Sequence, residues 1–227
     1  MMVCVFDVNE TLLDLSALDP QFARIFGDAA VRRAWFTQLL QLAMVATITG
    51  AYADFGQIGA AALEMTAART GLTLAPMDRE AILGGMRRLP PHPDARPSLE
   101  RLRDAGFRLA ALTNSTEAVA VAQLQFAGLA PLFEQILSAD TVKRLKPAPE
   151  PYLMAAERLG VEIGSIRLVA AHAWDVAGAQ RAGCATAFVA RPGQVLDPLV
   201  PRPEIVGADL GTVADAILAL ERLSDRA

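Results

Sequence analysis

The sequence predicts an α/β fold, a doubly wound parallel sheet with an all-helical segment inserted near its start. Three observations predict it. The chain opens on a short apolar run, Val3-Cys4-Val5-Phe6, which is rich in β-branched residues, stops at Asp7 and reads as a fully buried strand. Residues 15–90 then carry only helical periodicity. Beyond Pro93, helices and strands alternate, the pattern of a parallel sheet covered on both faces. The expected organisation is a core made of 1–14 and 91–227, with 15–90 as the helical insertion.

Within the insertion, Val31, Trp35, Leu39, Leu42 and Val45 recur at three- and four-residue spacing, as do Ile58, Ala61, Ala62, Met65 and Ala68 before Gly71. A further helix is expected from Asp78 to about Arg88, closed by Leu89-Pro90-Pro91. In the core, a helix from Ala95 to Ala105 stops at Gly106, and Phe107 to Leu112 follows as a strand. Next come a helix over 118–127 before Gly128, a short strand at Ile136-Leu137 and a helix over 150–159 before Gly160. The strand Ile166–Ala170, a helix over 176–182 before Gly183 and the strand Thr186–Val189 follow. Asp209 is expected to cap a last helix running to about Leu223.

Composition narrows the class. Of 227 residues, 53% are hydrophobic and 20% charged, enough to bury a large core, and the net charge is −4. Arg32-Arg33 and Arg87-Arg88 are isolated basic pairs that read as solvated helix faces, so no nucleic-acid surface is expected. No apolar stretch approaches the roughly 20 residues of a membrane span, and the start leaves no room for a signal peptide. Cys4 and Cys184 lie in apolar surroundings and read as reduced and buried, which suits a cytoplasmic protein.

Right-handed crossovers place the strand-end loops on one edge of the sheet, where open α/β sheets hold their chemistry. Four loops then meet. The first offers Asp7, Asn9, Glu10 and Thr11, the second Thr113-Asn114-Ser115, the third Lys146, and the fourth His172 and Asp175. Each has a bland reading. Asp7, Thr113 or Ser115 could cap a helix, Lys146 could be a solvated charge, and His172 a satisfied core residue. The combination at one sheet edge is much more specific than any member.

In this order the residues resemble the haloacid dehalogenase superfamily, whose Rossmann-like core carries a cap inserted after the first strand. The shared pattern is an aspartate with a threonine four residues later, a Thr/Ser after the second strand, Lys-Pro, and a last acidic loop. A phosphatase of that scaffold usually has a second aspartate two residues after the first, where this chain has Asn9, which cannot act as a general acid. Its magnesium-binding Gly-Asp falls on Ala170 and Ala171, so neither metal nor cofactor is expected. A halide leaving group needs no proton. In detail the chain resembles the (S)-2-haloacid dehalogenase (type II) branch, through Val169–Asp175, Leu145-Lys146-Pro147 and Tyr152.

The resemblance implies that Asp7 displaces halide from a small 2-haloacid, and that water then hydrolyses the aspartyl ester to a 2-hydroxy acid. Lys146 would keep Asp7 ionised, Thr113 and Asn114 would hold the substrate carboxylate and halide, and His172 paired with Glu10 would activate water. Val8, Asn9, Thr11 and Tyr152 are further candidates on the core side; Phe36, Leu40, Phe55 and Trp174 are candidate pocket walls. Two departures stand out. The branch's halide-contacting cap arginine falls on Phe36, and its last-loop asparagine on His172. A phosphatase of this scaffold and a catalytically weak carboxylate- or partner-binding protein are the alternatives, and a homodimer is the expected assembly.

Overall fold

In a computed structural model that describes residues 2–224, with side chains to residue 220, six strands form one parallel sheet. They are β1 (Val3–Phe6), β2 (Arg108–Thr113), β3 (Gln135–Ser138), β4 (Ile166–Ala170), β5 (Ala185–Val189) and β6 (Ile205–Gly207), in the order β3-β2-β1-β4-β5-β6. Alternation along β1 shows why the run is apolar throughout. Cys4 and Phe6 enter one hydrophobic core while Val3 and Val5 enter the other, so the strand is buried on both faces.

Helices α1 (Asp19–Phe26), α2 (Val31–Thr49), α3 (Phe55–Arg69) and α4 (Pro76–Gly85) precede α5 (Ala95–Asp104). They are followed by α6 (Glu117–Phe126), α7 (Pro149–Leu159), α8 (Ala173–Ala182) and α9 (Leu210–Ser224). Trp35 of α2 is fully buried and donates its indole N–H to the Gly59 carbonyl of α3 at 3.0 Å, which locks these two helices together. Asp54 caps α3 through the backbone N–H groups of Gly56 and Gln57, each at 2.9 Å. Gly160 and Gly183 end α7 and α8 with φ of 66° and 103°, a conformation open to glycine at little cost. Asp209 accepts from the Thr212 N–H at 2.7 Å at the start of α9.

Some elements differ from the sequence-based expectation. β6 was not expected: three residues behind the Pro-rich stretch 198–203 are too few to show a period, and pairing with β5 makes them a strand. α1 is a separate helix that the broad helical reading of 15–90 did not delimit. The helix expected from Asp78 to Arg88 is α4 followed by a 3-10 turn over Met86–Arg88. α8 begins at Ala173, not Val176, so Asp175 sits in its first turn instead of in the preceding loop. Arg32 corrects the reading of a solvated pair. It is 5% exposed, because α2 turns it toward Asp19, whose carboxylate accepts its Nε–H at 2.5 Å.

Candidate active site

The strand order reverses direction around β1, whose neighbours are β2 and β4. The loops leaving those strands diverge and open a crevice. Asp7 stands there. Its N–H continues the ladder to the Val169 carbonyl at 3.0 Å, and its side chain is 6% exposed.

Lys146 reaches it from the loop after β3. The ammonium has three N–H donors and three acceptors: Asp7 Oδ1 at 3.0 Å, Asp175 Oδ2 at 2.6 Å and the Leu112 carbonyl at 2.9 Å. Tyr152 of α7 donates to Asp175 Oδ1 at 2.5 Å, behind the ion cluster. Gly178 lets α8 approach this loop. A Cβ there would lie 2.6 Å from the Pro147 Cβ and 2.7 Å from the Tyr152 hydroxyl. Burial opposes ionisation of Asp7, but Lys146 and His172 outweigh it and hold the carboxyl far below its usual range. Burial also opposes protonation of Lys146, yet Asp175 and Asp7 raise its pKa. For Asp175, burial and the neighbouring Asp7 charge push the carboxyl up.

The other oxygen of Asp7 accepts from the Thr11 hydroxyl at 2.6 Å, and Thr11 in turn accepts from the Ala171 N–H at 2.9 Å. Thr11 therefore fixes the orientation of the Asp7 carboxylate. The same oxygen lies 3.2 Å from His172 Nδ1, while His172 Nε2 lies 2.9 Å from Glu10 Oε2. Burial lowers the imidazole pKa, but the hydrogen bonds and charges of Asp7 and Glu10 raise it to about 9. The two carboxylates thus favour the protonated ring, at the position where the sequence predicts a base.

Glu10 has a left-handed backbone, φ 61°, uncommon outside glycine and a mark of a conformation held by its surroundings. His92 meets its carbonyl at 3.2 Å, and Arg191 donates to the Thr11 carbonyl at 2.9 Å. Gln194 donates to the Glu10 carboxylate at 3.1 Å, and Arg32 Nη1 lies 3.6 Å from it. A cavity of about 460 Å³ opens beside Glu10, with Arg32, Phe36, His92 and Gln194 among its walls.

The remaining candidates divide. Phe36 and Trp174 face the His172 ring, with centroids at 6.2 and 5.1 Å. The Trp174 Nε1–H is buried and has no hydrogen-bond partner, a donor that an anion could use. Phe55 walls a smaller cavity of about 240 Å³ with Trp35 and Ser115, and Leu40 is half-buried against the same core. Asn114 is tied to the lysine loop: its amide donates one N–H to the Lys146 carbonyl at 3.2 Å and accepts from the Lys146 N–H at 2.8 Å, which leaves its second N–H for a ligand. It holds the lysine in place. Asn9 likewise bonds Gln123 at 3.0 Å, Val8 is fully buried, and the Thr113 hydroxyl accepts from the Ser115 N–H at 3.2 Å. Sequence reasoning missed Arg32 and Gly178. The only signal for Arg32 was its place three and four residues before Trp35 and Phe36, on the same helix face.

No cluster of three or more His, Cys, Asp or Glu side chains among the described residues is spaced to hold a metal ion. The cation between Asp7 and Asp175 is the Lys146 ammonium.

Comparison with known proteins agrees with this geometry. The family model for haloacid dehalogenase-like hydrolases matches residues 1–183. The (S)-2-haloacid dehalogenase 4A of Burkholderia cepacia is 31% identical over 195 residues, covering 85% of this chain and 84% of that protein. The (S)-2-haloacid dehalogenase 1 of Pseudomonas sp. (strain CBS-3) is 32% identical, covering 83% and 84%. The L-2-haloacid dehalogenase of Xanthobacter autotrophicus, solved with chloropropionic acid covalently bound, superposes with a TM-score of 0.89 at 25% identity, covering 96% of this chain and 98% of that one. The chain belongs to the haloacid dehalogenase-like hydrolase family, in its (S)-2-haloacid dehalogenase branch.

Proposed function

We propose that this chain hydrolyses short (S)-2-haloalkanoic acids to 2-hydroxy acids through an ester on Asp7, without a metal. The observation that carries the reading is a buried, ionised Asp7 carboxylate held by Lys146 at 3.0 Å and by Thr11 at 2.6 Å. Attack forms the bond from a carboxylate oxygen to carbon 2 and breaks the carbon–halogen bond, with the electron pair leaving on halide. Lys146 acts as a fixed charge that keeps Asp7 anionic, and Asp175 with Tyr152 holds Lys146. Water then attacks the ester at the Asp7 carboxyl carbon, with His172 as base and Glu10 orienting the ring. The indole N–H of Trp174 is the free donor we assign to the substrate anion.

Residues 15–90 act as a cap over the core, and we assign Phe36 to the wall of the cavity beside Glu10, Phe55 to that of the smaller cavity beside Ser115, and Leu40 to the packing behind them. We take the protein as cytoplasmic, in keeping with a chain whose two cysteines, Cys4 and Cys184, are both buried and form no disulfide. No helix among the described residues is long and apolar enough to cross a membrane. Val45 and Ile48 of α2 and Met65 of α3 are exposed apolar side chains and support a homodimer, which light scattering would report.

The test is halide release from (S)- and (R)-2-chloropropionate, with and without a chelator. Chelator-resistant release from the (S) enantiomer, lost in Asp7→Asn, is the expected result. Release from neither enantiomer, or magnesium-dependent phosphate release instead, overturns the reading.

A further inference from the structure

The carboxylates of Asp7 and Glu10 flank one imidazole, at 3.2 Å from Nδ1 and 2.9 Å from Nε2 of His172. An ionised carboxylate only accepts hydrogen bonds, so a ring bonded to both carries a proton on each nitrogen. A base with no free lone pair cannot activate water. We propose that His172 changes role within one turnover: as an imidazolium it is the cation that faces the incoming haloacid, and once Asp7 is an ester it sheds the Nδ1 proton and becomes the base for the hydrolytic water. This rests on the dehalogenase reading above.

Three features support the first role. Phe36, which occupies the position where the family resemblance puts a cap arginine, packs against the His172 ring instead. At that position a charge on the cap is replaced by an aromatic side chain that packs on His172 of the last core loop, while Arg32 of the same helix stays with Asp19 and near Glu10. Trp174 stacks on the same ring at 5.1 Å, an arrangement that favours a cation over a neutral imidazole. The charged groups around the ring also leave room for a cation. Arg32 is held by Asp19 at 2.5 Å and stands 3.6 Å from Glu10, Arg191 is held by Asp94 and the Thr11 carbonyl, and Lys146 is shared by Asp7 and Asp175. Among the described residues, Glu10 therefore has no cation as close as His172.

The second role follows from what alkylation removes. Converting Asp7 to an ester deletes one of the two charges that hold the imidazolium, and its pKa of about 9 falls accordingly. Glu10 keeps Nε2–H bonded, so the proton lost is the one on Nδ1, the nitrogen that faces the ester. That proton leaves with halide, as the net HX of the reaction. In the hydrolytic step Nδ1 takes a proton from water, hydroxide adds to the carboxyl carbon, and the carbon–oxygen bond to the hydroxy acid breaks. Ester, water and neutral His172 become carboxylate, alcohol and imidazolium, which restores the resting site. Glu10 is therefore a positioning residue that selects the tautomer.

The test is an NMR titration of the two histidines, with His92 assigned through His92→Gln. In the wild-type protein, His172 is expected as an imidazolium at neutral pH; a neutral ring there overturns the proposal whether or not any variant folds. Asp7→Asn, which mimics the uncharged ester, should lower the His172 pKa by at least about one unit, tenfold in proton affinity. Glu10→Gln should lower it as well. A His172 insensitive to both substitutions also overturns the proposal. The measurement is independent of turnover, so an inactive enzyme with a charged His172 sinks only the dehalogenase reading. An active one with a neutral His172 sinks only this inference.

Discussion

On one side of Asp7, the Lys146 ammonium uses all three donors on core groups, and both its side chain and that of Asp175 are fully enclosed. On the other side, His172 leads to Glu10, whose side chain is 20% exposed and borders a cavity walled partly by the inserted helix α2. Both sides stabilise the same carboxylate, and they do so differently. The sealed side is closed to solvent and all three ammonium donors are taken, so its charge is fixed beside Asp7. The open side joins a titratable ring to a solvent-facing acid, so its charge can follow the chemistry. In the proposed mechanism, two half-reactions with opposite electrostatic needs are served by the fixed cation and the variable one on opposite oxygens of Asp7.

Breaking the sealed side should have the larger effect. Lys146→Met leaves Asp7 and Asp175 as buried acids without their shared cation, which should cost about 3–5 kcal/mol of stability in urea unfolding and raise the Asp7 pKa. A loss under about 1 kcal/mol would mean that water already reaches this cluster.

The open side should show in the pH dependence of stability. His172 is raised from 6.5 to about 9 in the folded protein. Its contribution is fully present below the unfolded value and lost as pH rises through the folded one. Stability should therefore fall between pH 6.5 and about 9, by up to about 3 kcal/mol, and the fall should vanish in His172→Gln. Asp7 has the opposite sign: its depressed carboxyl contributes above the ordinary carboxylate range and is lost only in strong acid.

Smaller changes sharpen the contrast. Gly178→Ala forces a Cβ to within 2.6 Å of Pro147 and should destabilise by about 1–3 kcal/mol while moving Lys146. Thermal unfolding together with halide release would report both effects. Tyr152→Phe removes one hydrogen bond to Asp175 and should cost about 1 kcal/mol, with a few-fold lower kcat and an unchanged KM. A large rise in KM would instead put Tyr152 against substrate.

The sequence by itself determined the elements whose signal is local. The two-sided apolar runs of β1, β2, β4 and β5, the amphipathic spacing in α2 and α3, and the glycines ending α7 and α8 depend on neighbours within a few residues. Strand ends in a parallel sheet also determine a common edge, which is why Asp7, Lys146, His172 and Asp175 could be grouped before any distance was known.

Only the tertiary structure decided what each of those groups does there. Asn114 carries a side chain suited to substrate, and a backbone 32 residues away takes its oxygen and one of its two N–H donors. Arg32 reads as a surface cation, yet Asp19 and Glu10 enclose it. His172 reads as a base from its type alone, yet carboxylates 162 and 165 positions earlier lie against its two ring nitrogens and favour its protonated form. Burial, protonation and hydrogen-bond occupancy are set by atoms brought together across the chain. A residue's own type and its near neighbours do not fix them, because Coulomb and desolvation energies depend on distance in space and not on distance in sequence.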